Sequence, residues 1–418
     1  MSKEALRVKN FCGLSSINIP VKSINILIGP QGSGKSVIAK LLYFCKDFYA
    51  EIIKFVEKNQ SIEDFDIYIV NKFCRIFPVE TWFANDFKIT YVLDDLRIEI
   101  VKSNEEKVHI TYSNEYTKLF KRASKEFLKL KETSIVTPKF DNLDRAFFYN
   151  RINDIVDESI SPVVSLSQFY IPAGRSFFAY FQQNIFSILS EDKALDPLLI
   201  EFGRFYELVR NVNDSKLSKG IVSPLVGFDD ILLGKYVRDD GKDYIAHNDG
   251  RKVNLSYASS GQQEVLPLLL IINALRQVNF YWRNATLYIE EPEAHLFPDA
   301  QKKLMHWLIN SFNYRPGKLQ LIITTHSPYI LTVLNNLMQA GSIIKEKPEI
   351  SQEVNSIIPK SEVINLDHIS VYLVKNGEAK SIIDKDTELI SQTVLDDVSN
   401  VISEEFNKLL DLTFHEST

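Results

Sequence analysis

The chain has 418 residues, of which 45% are apolar and 24% charged, and it carries a formal net charge of −6. That apolar share is enough for a real core and excludes a largely disordered chain. The acidic balance speaks against a protein coated for nucleic acid, although a local basic patch stays open.

Taken in chain order, Arg7 to Asn18 give early strands, and Ile24 to Ile28 form a short apolar, β-branched strand of the buried kind. Gly29-Pro30-Gln31-Gly32-Ser33-Gly34-Lys35-Ser36 follows, a complete G-x-x-x-x-G-K-S loop, and Val37 to Phe44 continue as a helix without a breaker. Strand, glycine loop and helix N-terminus together make a phosphate site. The glycines let backbone N–H groups turn inward, and the helix dipole favours negative charge. Lys35 would reach the β- and γ-phosphates of ATP, and the Ser36 hydroxyl would ligate Mg²⁺. Gly29, Gln31, Gly32, Ser33, Gly34, Lys35, Ser36 and Val37 are therefore the expected nucleotide contacts.

Residues 87–112 alternate apolar and polar, as antiparallel strands do. From about 114 to 160 the pattern is helical, with Leu119, Ala123, Phe127 and Leu130 on one face and Lys118, Arg122, Lys125 and Lys129 on another. That basic stripe suits a phosphate backbone, an acidic partner, or simply a solvated face diluted by Glu115, Glu126 and Glu132. Phe169 to Ser176, FYIPAGRS, offers Arg175 to a phosphate or to a carboxylate across a lobe boundary, or else is an ordinary strand-turn junction. Residues 176–215 read as helices with an aromatic core stripe: Phe177, Phe178, Tyr180, Phe181, Phe186 and Phe202. A hairpin is expected at Asp239-Asp240-Gly241 or Asn248-Asp249-Gly250, between the runs Ile231 to Val237 and Val253 to Tyr257.

Next comes Ser259-Ser260-Gly261-Gln262 before the apolar run from Val265, either a helix cap or a second nest of phosphate donors. The chain already has groups enough for one triphosphate, so the nest would clamp the γ-phosphate held by another subunit. Leu287-Tyr288-Ile289 then delivers Glu290 and Glu291 to a strand end, where parallel α/β sheets place ligands. Glu290 is placed to hold Mg²⁺ directly or through water, and Glu291 to deprotonate the attacking water. A further strand, Leu319 to Ile323, ends in Thr324-Thr325-His326-Ser327, where His326 would sense the γ-phosphate. The tail adds a strand at Ile369 to Val374, a turn at Asn376-Gly377 and a closing helix from about Thr393.

The ordered set GPQGSGKS, ASSGQQE, LYIEEPEAHLFP and TTHSP resembles the ABC-class ATPases. It is most similar to the prokaryotic branch with the OLD (overcoming lysogenization defect) and RecF-type proteins. The resemblance implies that Ser259 and Gly261 belong to the signature loop acting in trans. It also implies that Leu296 and Phe297 fall in the D-loop, that His326 is the switch histidine, and that FYIPAGRS lies about where the Q-loop does. Two departures stand out: Glu290 replaces the aspartate of most transporters, and Ser260 replaces the first glycine of the signature.

The expected fold is an α/β ABC-type P-loop head, a mixed sheet with an antiparallel β extension, plus a helical lobe and inserted helices. Residues 1–113 would form lobe I, 114–165 a helical insertion and 166–255 a helical lobe with a hairpin. Residues 256–345 would hold the signature, Walker B and switch histidine, and 346–418 a closing strand and helix. No heptad run supports a condensin-like arm. Only 92 residues follow His326, which leaves the expectation of an ATPase without a Toprim nuclease of its own, although one D-x-D, Asp384-Lys385-Asp386, lies among them.

The implied function is thus an ATPase that forms a homodimer or larger homo-oligomer and controls a separately encoded effector in antiphage defence. The alternative is a RecF-like ATPase acting on DNA, or an OLD-type ATPase acting with a nuclease. Cys12, Cys45 and Cys74 lack metal-ligand spacing, and their odd number fits a reducing cytosol. With no apolar targeting core at Met1 to Arg7 and no bilayer-length apolar run, the expected location is cytoplasmic, away from membranes.

Overall fold

The computed structural model describes residues 3–82, 86–103, 107–133, 148–154, 156, 167–180, 195–214, 228–277, 284–314, 319–391 and 403–410. The strands are β1 (Glu4–Phe11), β2 (Leu14–Pro20), β3 (Ile24–Ile28), β4 (Phe87–Leu93), β5 (Leu96–Lys102), β6 (His109–Tyr112) and β7 (Ser167–Ile171). They continue as β8 (Lys235–Asp239), β9 (Lys242–Ala246), β10 (Lys252–Asn254), β11 (Ala285–Glu290), β12 (Leu319–Thr325), β13 (Ile369–Lys375) and β14 (Glu378–Ser381).

Eleven of them make one sheet in the order β6-β5-β4-β1-β2-β14-β13-β3-β12-β11-β7. Its two halves obey different sequence rules. In the run β13-β3-β12-β11-β7 every neighbour is parallel, and β3, β11 and β12 are buried at every position. Two-sided burial explains why these strands read as unbroken apolar runs. In the other half β1, β2, β4, β5 and β6 pair antiparallel, and β5 alternates buried and partly exposed residues. This is the mixed α/β sheet with an antiparallel extension that the sequence led us to expect.

The period of two in the central strands divides the core into two layers. Ile24, Ile26 and Ile28 pack into one, with the helices Ser260–Gln277, Pro298–Tyr314 and Pro328–Glu346. Leu27, Tyr288 and Ile322 face the other, which is built on α1 (Lys35–Glu57) and the antiparallel strands. A second helix, α2 (Ile62–Ile76), starts at Ser61 in a reciprocal capping box with Asp64; the sequence analysis does not mark it. In α3 (Asn114–Thr133), Leu119, Ala123 and Phe127 are buried as their spacing predicts, and Leu130 packs partly buried behind them.

The hairpin is expected at one turn or the other, and the structure turns at both, pairing β8 with β9 and β9 with β10 antiparallel. The β8–β9 turn has Asp240 and Gly241 at φ 47° and 71°, the left-handed pair that a tight hairpin requires. The flanking runs differ from expectation. Asp229–Leu232 is a helical turn ended by Leu233 at φ 51°, and Leu255–Tyr257 is a 3-10 turn capped by Asn254. Side-chain capping by Asn254 outweighs the strand preference of the residues around it. Of the aromatic stripe, Phe178 and Phe202 are buried and Tyr180 is exposed, while Phe181 and Phe186 lie outside the described residues. The tail strand forms as β13, turning through Asn376 and Gly377 into β14. The closing helix from Thr393 falls largely outside the described residues; 403–410 are helical and exposed. Among the described residues, no helix is long and apolar enough to cross a membrane.

Candidate nucleotide and catalytic site

Strand order alone brings the three motif loops together. β3, β12 and β11 are adjacent and parallel, with Ile28 opposite Thr325 and Thr324 opposite Glu290. The loop after β3, His326 after β12 and Glu291 after β11 therefore emerge side by side at one sheet edge.

In the glycine loop, Gly32 and Gly34 take φ 72° and 98°, a region costly for residues with a Cβ. Gly34 is the N-cap of α1 and has no side chain to satisfy the helix N–H groups, so those donors stay directed at the loop. Ser33 Oγ is buried without a partner among the described residues. Gln31 and Ser36 are exposed, while Gly29 and Val37 are half-buried. Lys35 is 4% exposed, and its Nζ donates to the carbonyls of Gly29 and Pro30 at 2.8 Å each. Burial pulls the Lys35 pKa down, partly offset by Glu291, Glu293 and Glu290.

His326 stands between the lysine and the acid. Its Nδ1 is 3.5 Å from Lys35 Nζ, and its Nε2 is 3.1 Å from Glu291 Oε1. Glu291 has φ 42°, sparsely populated for a residue with a side chain, and its N–H donates to Thr324 O at 2.9 Å. Glu290 is 8% exposed; Tyr170 Oη donates to its Oε1 at 2.7 Å and Ala173 N to its Oε2 at 3.1 Å. Lys35, His326 and Glu291 are thus brought together, and Glu290 ends the adjacent strand β11.

Two functional supports are given no role in the sequence analysis. Glu293 Oε1 accepts the Thr325 hydroxyl at 2.6 Å and the His326 N–H at 2.7 Å, and its Oε2 is buried without a partner among the described residues. Tyr170, near the end of β7, lies inside the FYIPAGRS stretch, but the residues there give it no role of its own. For Glu293 a signal exists: a third carboxylate, two residues beyond the acid pair.

The signature segment sits elsewhere. Ser259 Oγ accepts the Gln262 N–H at 3.3 Å while Gln262 Oε1 accepts the Ser259 N–H at 3.1 Å, a reciprocal cap on the helix Ser260–Gln277. The cap reading of these residues is therefore realised, and Ser259 and Ser260 remain exposed. A Cβ on Gly261 would come within 2.7 Å of the His295 carbonyl, so close backbone approach by itself demands glycine there. Among the described residues, no hydrogen bond joins Ser259, Ser260, Gly261 or Gln262 to the glycine loop. Phe297 is 79% and Tyr257 85% exposed on flanking turns. Two of the four stripe cations on α3 are in ion pairs, Lys118 with Glu115 and Lys129 with Glu126, and Arg151 from outside α3 also reaches Glu126.

A family model described as "AAA domain, putative AbiEii toxin, Type IV TA system" matches residues 24–332. No curated protein matches the chain. Similar solved structures include the SMC head domain from Thermotoga maritima, 12% identical with TM-score 0.37, covering 91% of this chain and 98% of that one. An SmcHead bound to the C-winged helix domain of ScpA is 11% identical with TM-score 0.42, covering 93% and 99%. An Smc head with an extended coiled coil, bound to a ScpA C-terminal domain derived from Pyrococcus furiosus, is 12% identical with TM-score 0.39, covering 97% and 99%.

Proposed function

The chain belongs to this AAA-domain family, and on that premise we propose that it binds and hydrolyses ATP, pairs through bound ATP, and controls a separately encoded effector. The observation that carries the chemistry is the contact series Lys35–His326–Glu291, with separations of 3.5 and 3.1 Å. A cationic anchor, a γ-phosphate sensor and a carboxylate base stand in the order that phosphoryl transfer to water uses them.

Nucleotide and cation fit what the residues offer. Lys35 turns its ammonium onto loop carbonyls, the buried Ser33 hydroxyl lacks a partner among the described residues, and α1 opens without a side-chain cap on its N–H groups. Phosphate oxygens supply acceptors that all three can use. Ser36 would hold Mg²⁺ through its exposed hydroxyl, and Glu290 through the lone pairs that Tyr170 and Ala173 leave free. The bound ion would neutralise charge on the β- and γ-phosphates. Glu291 would take the proton of the attacking water, and His326 would orient that carboxylate and contact the γ-phosphate.

Pairing follows from the second nest. Ser259, Ser260 and Gly261 cap a helix whose N-terminus makes no hydrogen bond to the chain's own glycine loop among the described residues, so a second copy's nucleotide is the partner it fits. The family description speaks of a toxin in a type IV toxin–antitoxin system, which supports a role beside a second gene product. We place that role in antiphage defence, as the OLD-like resemblance implies. Lys118 and Lys129 of the α3 stripe are paired with carboxylates, so only part of that stripe is left to the DNA-directed alternative.

The test has two arms. Purified wild type should release phosphate from ATP, and Lys35→Ala should not. In cells carrying the chain with its native neighbouring genes, Lys35→Ala should remove protection against phage challenge. Protection that survives Lys35→Ala overturns the defence role, and phosphate release that survives it overturns the site.

A further inference from the structure

The loop after β7 holds a buried arginine that the proposed chemistry leaves unused. Arg175 has no exposed surface, although it sits in a polar turn between a strand and a helix. Its Nη1 donates to the carbonyls of Pro172 at 2.8 Å and Glu290 at 2.7 Å, and its Nη2 to that of Glu291 at 3.1 Å. Its Nε donates to the Glu264 carbonyl at 2.9 Å. The Glu264 carboxylate in turn accepts the N–H groups of Arg175 at 2.9 Å and Ser176 at 3.0 Å. Glu264 is 2% exposed and lies in the opening turns of the helix that Ser259 caps.

One guanidinium therefore grips both ends of the proposed machinery. On one side are the consecutive carbonyls of the acid pair, including that of Glu291, whose φ of 42° needs support from its surroundings. On the other is the helix whose first residues would face a second nucleotide. A second contact runs parallel to it, where Gly261 packs against the His295 carbonyl. Only a planar fork of five donors reaches four carbonyls in this way; a lysine cannot.

We propose that Arg175 is a positioning residue that couples the signature turn Ser259–Glu264 to the direction of the Glu291 carboxylate. A shift of that turn, when it meets the partner's nucleotide, passes through Glu264 and Arg175 to the Glu291 carbonyl, and so sets the base. This rests on the ATPase reading above, and the site's dependence on a second subunit becomes a property of one buried side chain.

The experiment compares Arg175→Lys and Glu264→Gln with wild type, measuring affinity for a fluorescent ATP analogue, single-turnover phosphate release and thermal melting. Arg175→Lys should keep the dissociation constant within about twofold while kcat falls by roughly 10²-fold, the scale of a misplaced catalytic group. Ser259→Ala, a partial change that lowers kcat in wild type without blocking the turn, should lower it no further in Arg175→Lys, because the coupling is already cut. A merely structural arginine would instead give additive losses, with affinity and kcat falling together, and that result overturns the proposal. Wild-type kcat in Arg175→Lys also overturns it. If Arg175→Lys does not fold, Glu264→Gln decides by the same three readouts. Absence of phosphate release by wild type overturns the ATPase reading itself, a distinct outcome.

Discussion

Glu293 accepts the backbone N–H of His326 at 2.7 Å, so a carboxylate beyond β11 fixes the residue that ends β12. The same oxygen takes the Thr325 hydroxyl, which leaves the imidazole one path between Lys35 and Glu291. Removing that acceptor strands one buried donor, at a cost of about 1–3 kcal/mol, and one part-buried donor at less. Glu293→Ala should melt earlier than wild type and lower kcat by about tenfold or more through a wandering His326. Glu293→Gln keeps a carbonyl acceptor and should be milder in both. Phosphate release and thermal melting on the two variants check this; equal kcat in Glu293→Ala and wild type would show that His326 needs no such support.

The anchor and the base should separate kinetically. Lys35→Ala removes the group that binds phosphate and should abolish ATP binding. Glu291→Gln keeps a neutral side chain of the same shape, so binding should persist while turnover falls by about 10²-fold or more. Equilibrium binding and phosphate release on both variants test the assignment, and equal hydrolysis by Glu291→Gln and wild type would sink it.

Motif residues are legible because the sheet is parallel at its centre: each apolar run ends in the residues it presents, and strand order does the rest. The antiparallel strands 87–112 are legible from alternation alone. What stays hidden depends on contacts between segments far apart in the chain. Arg175 reads as a partner for a phosphate or a carboxylate, or as an ordinary junction residue; its Nε does lie 3.5 Å from the Glu264 carboxylate, but its four carbonyl acceptors carry no sequence signature. Tyr170 is hidden likewise, since its partner Glu290 is 120 residues away. The helix α2 does have a local signal, the capping pair Ser61 and Asp64, but it is only three residues wide. Ser259 shows why some ambiguity persists at the level of sequence. One hydroxyl caps its helix and also lies at the surface, so local residue types do not separate a cap from a clamp.

A buried charge network beside α1 sets the expected pH response. Burial pushes the Glu51 carboxyl up, but Lys72 and Lys54, with the Tyr68 hydroxyl, outweigh it and hold the pKa at about 2, below the ordinary 4.5. Lys72 bridges Glu51 at 2.9 Å and Asp47 at 2.5 Å and is itself raised above 10.5, its burial outweighed by Asp47 and Glu51. A depressed carboxylate stabilises the fold fully above its unfolded pKa and loses that contribution as pH falls from 4.5 toward 2. The raised lysine stabilises fully below 10.5 and loses its share as pH climbs beyond. Glu51→Gln should cost about 3 kcal/mol at neutral pH and flatten the acid limb. Urea unfolding from about pH 7 down to about pH 3 reads both; an unchanged acid limb would mean that other carboxylates set it.

Assembly gives the last prediction, and it follows from the placement of the two nests. The glycine loop and the Ser259 turn share no hydrogen bond among the described residues, so a monomer presents two half-sites. Two-fold pairing completes both at once, because an isologous contact repeats each interaction. ATP then stabilises only the pair, so Glu291→Gln should dimerise, or build a larger ring or filament, more tightly with ATP than without. Sedimentation velocity checks that directly. The sharper test mixes Lys35→Ala with Ser259→Arg. Each alone should be inactive, one for lack of an anchor and the other for a blocked clamp. Ser259→Arg also loses a helix cap, worth about 1 kcal/mol, so its melting is measured first and Ser259→Asn serves as the capped control. In an equal mixture, about half the dimers pair the two variants, and each of those holds one site with both halves intact. Hydrolysis should return to about a quarter of the wild-type rate if sites act independently. A Ser259→Arg protein that hydrolyses ATP normally by itself would remove the partner from the mechanism.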